Sequence, residues 1–325
     1  MSFSADVKQE LCNLKRDRGT DSALLCGAIL SAGSLVIAPG KGVSFTLSSE
    51  NGAFVDFIKK IISENYTSAT FTEEDTNVGF KQKTRKELSV ESSVGRQILT
   101  DLGILEFNKD GQFTINRLGD SALTIEENSK IAYLKGMFLG AGSISVPAPV
   151  NIDDFSKSVK NSGYHMEWVV QSGLQAQKIS ELLAQLNIIC RSVERGETEV
   201  VYIKEADSIS TVLGLFGAVK SLLELENQRA GRQMRNLVNR QANCISANID
   251  KSINAALVQL EAIETIKNTV GLEALPDTLL DVALARLANP EGSLNEICEV
   301  LPTKISKGAV SQRFKKIIEI AKEVG

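Results

Sequence analysis

Five basic residues and no acidic one fall between positions 304 and 316: Lys304, Lys307, Arg313, Lys315 and Lys316. The chain that holds them is acidic overall, with 36 Lys and Arg against 40 Asp and Glu and a net charge of −4. Such a segment is either a solvated lysine face or a surface for an anionic partner, and its position favours the second. Ser306 caps a helix predicted through Val324. The charges crowd the N-terminal half of that helix, where free N–H groups and the helix dipole also attract phosphate. Lys307, Ser311 and Gln312 are placed to reach base edges, since Gln pairs bidentately with adenine and Lys with guanine. Lys304, Arg313, Lys315 and Lys316 fit phosphate contacts that position the helix, and Ser306 belongs to the same candidate DNA-binding set.

A second cluster runs from Gln228 to Asn243. Arg229, Arg232, Asn236, Asn239 and Asn243 follow steps of three and four along one helical stripe, with Arg235 and Arg240 beside it. Two readings stand. The stripe contacts DNA, which would explain asparagines of poor helix propensity; or it is an exposed interdomain helix whose arginines pair with acidic neighbours.

Other constellations are weaker. There is no phosphate loop of the G-x-x-x-x-G-K-[ST] type, and Gly140-Ala-Gly142 lacks the third glycine of a dinucleotide fingerprint. His165 is the only histidine and reads as structural, while Asp153 and Asp154 read as solvated. The five cysteines (12, 26, 190, 244 and 298) show no C-x-x-C spacing. They predict buried free thiols, with no disulfide framework, structural zinc or other metal or cofactor. The amphipathic N-terminus lacks a signal-peptide core, and no apolar run approaches the ~20 residues of a membrane span, so a cytoplasmic location follows.

The elements that must position these residues begin with a repeat. Leu25–Leu35 reads Leu-Cys-Gly-Ala-Ile-Leu-Ser-Ala-Gly-Ser-Leu, and Leu134–Ile144 reads Leu-Lys-Gly-Met-Phe-Leu-Gly-Ala-Gly-Ser-Ile. Gly27 and Gly136, Ala32 and Ala141, Gly33 and Gly142, and Ser34 and Ser143 share one offset of 109 residues. Glycine costs about 1 kcal/mol against alanine in a helix, so both stretches are expected to be helices that approach closely on their glycines. Residues 4–18 predict an amphipathic helix before the first copy, with Thr20 or Asp21 as the next N-cap. After each glycine helix the pattern runs strand-strand-helix-strand-strand-helix. Pro39–Gly42 turns the first strand pair, and a small hairpin is expected at 107–115. The polar stretch 147–163 reads as a surface excursion.

Beyond residue 220 the pattern becomes helical. Leu225–Val270 holds a single glycine, Gly231, and no proline, which predicts one or two long helices. A helix from Leu275-Pro276 through Leu287, a capping box at Ser293–Glu296 and the helix after Ser306 give a helix-turn-helix. Val310, Phe314, Ile317 and Ala321 are expected to form the buried face of the last helix. The fold class is therefore α+β: duplicated αββαββα halves followed by an all-α helix-turn-helix domain. The boundaries are 1–125, 126–220, a helical linker at 221–271 and the helix-turn-helix at 272–325.

The two repeats resemble degenerate forms of the LAGLIDADG motif of homing endonucleases, whose motif helices pack at a symmetry axis. In that family the last acidic residue of each motif binds the catalytic divalent metal. The matching positions here are Ala32 and Ala141, and an alanine methyl cannot ligate Mg²⁺, which demands oxygen. The whole chain is similar to the bacterial WhiA family, which joins a LAGLIDADG-like region to a C-terminal helix-turn-helix. The resemblance is carried by Met234–Asn248, Tyr164-His-Met-Glu-Trp168 and Ser293–Lys316. Where that family has asparagine-histidine-arginine in its recognition segment, this chain has Ser311-Gln312-Arg313.

The resemblance implies a nucleoid-associated transcription regulator that binds double-stranded promoter DNA and acts in cell division, chromosome segregation or sporulation. Other transcription or division proteins are its further expected partners. It implies a nuclease fold whose chemistry is lost. Two alternatives compete. One is an active metal-dependent endonuclease using carboxylates such as Asp21 or Glu50, and the other is an interaction scaffold that does not read sequence.

Overall fold

The computed structural model describes residues 2–38, 42–78, 83–109, 112–147 and 163–325. Most of the Pro39–Gly42 turn and almost all of the 147–163 stretch, with Asp153 and Asp154, lie outside the described residues. The chain divides into two compact units, residues 1–232 and 233–325.

The first unit opens with α1 (Phe3–Asn13), whose Val7 and Leu11 are buried. Then α2 (Asp21–Ala32), β1 (Gly33–Ala38), β2 (Gly42–Ser49), α3 (Gly52–Asn65), β3 (Phe71–Val78), β4 (Lys83–Val90) and α4 (Ser92–Asp101) form one half. A short hairpin of β5 (Leu105–Phe107) and β6 (Phe113–Ile115) separates it from the second half. That half comprises α5 (Glu127–Ala141), β7 (Gly142–Ser145), β8 (His165–Val170), α6 (Gly173–Gln185), β9 (Arg191–Arg195), β10 (Thr198–Ile203) and α7 (Ala206–Phe216). The sheets are ordered β1-β2-β4-β3 and β7-β8-β10-β9, with every neighbouring pair antiparallel. One topology used twice is what the repeated sequence predicts.

The halves meet through α2 and α5. A Cβ built on Gly27 would lie 2.3 Å from the Tyr133 carbonyl oxygen, and one on Gly136 would lie 2.1 Å from that of Leu24. Backbone therefore touches backbone, and only glycine fits. Further along, Gly140 faces Ser31, whose Oγ would sit 2.0 Å from an added Cβ. Contact positions rise together along both helices, so the pair is parallel. Around it, Trp168 of β8 donates its indole N–H to the Leu134 carbonyl at 3.3 Å and meets Phe138 edge to face. Gln175 of α6 donates to the Leu30 carbonyl at 3.3 Å and so satisfies the C-terminal turn of α2.

The sequence predicts strands at Ser34–Ile37 and Ser143–Val146 after the glycine helices; the helices end at Ala32 and Ala141, and the strands open one residue earlier, at Gly33 and Gly142. Cross-strand pairing decides this, because Gly33 pairs with Leu47 and Gly142 with Trp168. The first helix stops at Asn13 instead of 18, with Leu14 extended (φ −69°, ψ 150°). Asp17 then caps a single 3-10 turn at Arg18–Thr20.

Val219–Thr269 form one helix, α8, of 51 residues. Gly271, at φ +83°, turns the chain after it in a conformation that favours glycine. The second unit continues with α9 (Asp277–Ala288), α10 (Leu294–Val300) and α11 (Lys307–Val324). Both bonds of the Ser293–Glu296 capping box are present at the start of α10. Ile263 and Ile266 of α8 join Val282, Ile297, Val310, Phe314 and Ile317 in one core. Inside it lies Arg286, 2% exposed, which no motif or spacing in the sequence marks. Its Nε donates to Gln259 of α8 at 3.0 Å, and its Nη1 donates to the carbonyls of Asn289 (3.2 Å) and Gly292 (2.5 Å). The guanidinium also lies 5.3 Å from the Phe314 ring centroid. One cation thus joins α8, the α9–α10 turn and α11.

Three variants test this packing by chemical denaturation. Gly136→Ala is expected to lose about 1–3 kcal/mol through overpacking. Gly231→Ala, on α8 with nothing within 4 Å of the added methyl, should instead gain up to ~1 kcal/mol. Arg286→Lys replaces a fork of donors by one ammonium. It should cost about 1–3 kcal/mol in the second unit by stranding buried acceptors.

Candidate nucleic-acid interface and the motif positions

The helix α11 is built to present a cationic surface. Ser306 Oγ accepts from the Ala309 N–H at 3.3 Å, which fixes its start. Val310, Phe314, Ile317 and Ala321 are buried, as their spacing predicts. At roughly 100° per residue the opposite face carries Gly308, Gln312, Lys315 and Glu319. Lys304, Lys307, Gln312, Lys315 and Lys316 are exposed, and Ser311 and Arg313 are half-buried. Among the described residues, none of the four lysines has a carboxylate partner. Arg313 differs, because its Nη1 donates to the Thr278 carbonyl at 3.2 Å and ties α11 to the start of α9. The structure therefore brings seven of the eight candidates to one accessible segment and turns one guanidinium partly inward.

The α8 candidates divide. Arg229, in the first unit, is held by Asp207 at 2.5 Å and Glu226 at 2.7 Å, the acidic-neighbour alternative. These hydrogen bonds raise its pKa further, against the effect of burial. Arg232 and Arg235 are half-buried. Asn236, Asn239, Arg240 and Asn243 are exposed on the second unit's part of α8.

At the motif end, α2 and α5 terminate on Ala32 and Ala141, whose methyls hold no ligand atom. Ser31 Oγ donates to the Ala28 carbonyl (3.1 Å) and lies 3.4 Å from the Gly136 carbonyl, so it is spent on the helix pair. Glu167 accepts from Ser143 Oγ at 3.0 Å and lies 3.0 Å from His165 Nε2, and His165 stacks on Tyr202. Asp21 lies at the other end of α2, roughly 16 Å away at 1.5 Å per residue. There it is buried against Arg16 and Asn65. Glu50 is exposed beyond the end of β2. Among the described residues no three His, Cys, Asp or Glu side chains gather as a metal site. The motif positions thus do not fit a divalent cation.

The thiols are mixed. Burial pushes Cys12 and Cys26 up to about 12, which keeps them protonated and poorly nucleophilic. Cys244 is exposed, against the expectation of buried thiols, because its stretch of α8 is exposed throughout. No helix among the described residues is long and apolar enough to cross a membrane.

Comparison with known proteins places both units. Residues 238–321 match the model of the WhiA C-terminal HTH domain, and residues 21–87 and 130–235 match that of the WhiA LAGLIDADG-like domain. A probable cell division protein WhiA of Clostridium tetani is 33% identical over all of this chain and 98% of its own length. That of Thermoanaerobacter pseudethanolicus is 34% identical, with the same coverage. The crystal structure of full-length WhiA from Thermotoga maritima matches all of this chain and 99% of its own at a TM-score of 0.57 and 25% identity. With both domain models matched in order and relatives aligned end to end, the chain belongs to the WhiA family.

Proposed function

We propose that this protein is a DNA-binding transcription regulator, acting at promoters in cell division, chromosome segregation or sporulation, whose LAGLIDADG-like region does not cut DNA. The observation that carries this is α11: a capped helix, packed on one face, with unpaired lysines gathered around its N-terminal half. On this reading α11 enters the major groove, and Lys307, Ser311 and Gln312 face base edges. Lys304, Lys315 and Lys316 take phosphates, and the N–H groups behind Ser306 add to them. Arg313, tied to Thr278, orients α11 and offers its remaining donors to the backbone. Asn236, Asn239, Arg240 and Asn243 supply a second contact line, whereas Arg229 is occupied by its carboxylates.

The division of labour follows residues 1–125 and 126–220 as the paired LAGLIDADG-like halves, 221–271 as linker and 272–325 as reader. The relatives' name attaches them to cell division, and a nucleoid location follows from promoter binding. The absence of oxygen ligands at Ala32 and Ala141 supports a loss of metal-assisted strand cleavage, because such chemistry requires held divalent cations.

A salt titration of the full chain against genomic promoter fragments tests the reading. Selected fragments should bind more tightly than bulk duplex. Lys315→Ala should flatten the slope of log K against log salt by about 0.9 while leaving fragment preference intact. Gln312→Ala should cost about 1–3 kcal/mol on preferred fragments and little on bulk DNA. Equal affinity for every duplex would favour the scaffold. In plasmid nicking with Mg²⁺ or Mn²⁺, the protein should give no product above a Glu50→Ala control. A metal-dependent product that disappears in that control would restore the endonuclease.

A further inference from the structure

One apolar seam runs along the second unit's part of α8, and only half of it is buried. Val238, Ala242, Ile245, Ile249, Ser252 and Ala256 follow one another at alternating steps of four and three. The same steps continue through Gln259 and Ile263 to Ile266, the spacing of a helix that packs along a single stripe. From Ala256 onward these positions are buried, and Ile263 and Ile266 belong to the core of the second unit. Before Ala256 they are exposed, Ile245 by 60%. Met234 and Ile253, also exposed, extend the uncovered stretch by four residues at either end.

At roughly 100° per residue, Met234, Val238, Ala242, Ile245, Ile249 and Ile253 share one face of α8, and Asn236, Arg240 and Asn243 lie on the other. A duplex bound to those polar residues therefore leaves the apolar face uncovered, and such a face marks a protein contact. The stripe is complementary to itself when reversed. Met234 then falls opposite Ile253, Val238 opposite Ile249, and the small Ala242 opposite Ile245, so the layers interdigitate. Charge follows the same reversal. No acid lies between Glu226 and Asp250, and Arg235 and Asp250 sit on the same flank of the stripe. Antiparallel order brings Arg235 of one helix to within about 3 Å, along the axis, of the level of Asp250 on the other. Parallel order holds those levels about 22 Å apart. Arg235 already has a partner within the chain, and the five N–H donors of a guanidinium leave capacity for a second.

We propose that this face joins two copies of the chain as an antiparallel helix pair, centred between Asn243 and Cys244. Each copy contributes the large side chains of Met234, Val238, Ile245, Ile249 and Ile253, about half covered by their own helix. With the flanks beside them, the two faces remove on the order of 1,000 Å² from water, the lower limit for a specific interface. The product is a reversible dimer that forms as concentration rises, with too little area for an obligate one. Asn236, Arg240 and Asn243 stay outward on both helices. The pairing is independent of DNA binding by α11.

The test is sedimentation equilibrium of the full chain, without DNA, from about 1 µM to a few hundred µM. The mass is expected to rise from that of one chain to that of two. Ile249→Glu should weaken association at least tenfold, because its carboxylate would be buried against Val238 of the other copy. Ala247→Glu adds the same charge on the opposite face and should associate as the parent does. Asp250→Arg should weaken association several-fold by facing Arg235, and Arg235→Asp added to it should restore association. Helix content by circular dichroism should stay the same in each variant. A single-chain mass over the whole range overturns the proposal. If Ile249→Glu then also lowers the melting temperature, the chain covers the stripe itself; if it does not, the stripe serves a different protein. Association that survives Ile249→Glu, or is lost in Ala247→Glu, overturns it as well. Failure of the Asp250→Arg and Arg235→Asp pair to restore association overturns the antiparallel order.

Discussion

The first unit depends on one close approach, the backbone contact between α2 and α5 at Gly27 and Gly136. Carbonyl oxygens of one helix occupy the space where a side chain would stand on the other. That contact makes the helices parallel, and parallel helices end side by side. Each then delivers its chain straight into the first strand of a sheet, β1 after Ala32 and β7 after Ala141. The two sheets follow with the same strand order because they start from equivalent ends. Trp168 and Gln175 close the arrangement by bonding carbonyls of α5 and α2.

The second unit solves a different problem. Its helices α9 and α10 are short, and α10 has only seven residues, too few to be stable alone. A capping box secures the start of α10, and Arg286 secures the turn before it through the Asn289 and Gly292 carbonyls. With that turn fixed and Phe314 packed on the same guanidinium, α11 is left with one buried face and one free face. The exposed lysines are therefore held by packing behind them instead of by ion pairs beside them.

The parts of this plan that repeat at a helical or strand period were legible in the sequence. Phe54, Phe57, Ile58, Ile61 and Ile62 stand at helical spacing in α3, and Val310, Phe314, Ile317 and Ala321 do so in α11. The glycine repeat announced the helix pair, since an offset shared by several small residues is a sequence property. What depended on distant partners was hidden. The strand after α2 was legible to within one residue, at Ser34, and its exact start at Gly33 is set by pairing with Leu47. Arg229 stood in a stripe of candidates, but its fate rested on Asp207, 22 residues earlier. Arg286 sits among alanines and leucines like any surface arginine of a helix, and only its Gln259 partner shows that it points inward.

The same pairing gives the two ends of α2 and α5 opposite electrostatic characters. Parallel helices place both partial negative charges at one end and both partial positive charges at the other, an arrangement that neither helix relieves for its neighbour. The negative end is where a divalent cation would be stabilised, and there the chain has alanine at both motif positions, so neither position supplies an oxygen to hold one. The positive end is where cations are least welcome, yet Lys15 and Arg16 lie beside the start of α2. Asp21 in the first turn of α2 and Glu127 in that of α5 offset the dipoles in part. Asp21 is itself neutralised by Arg16.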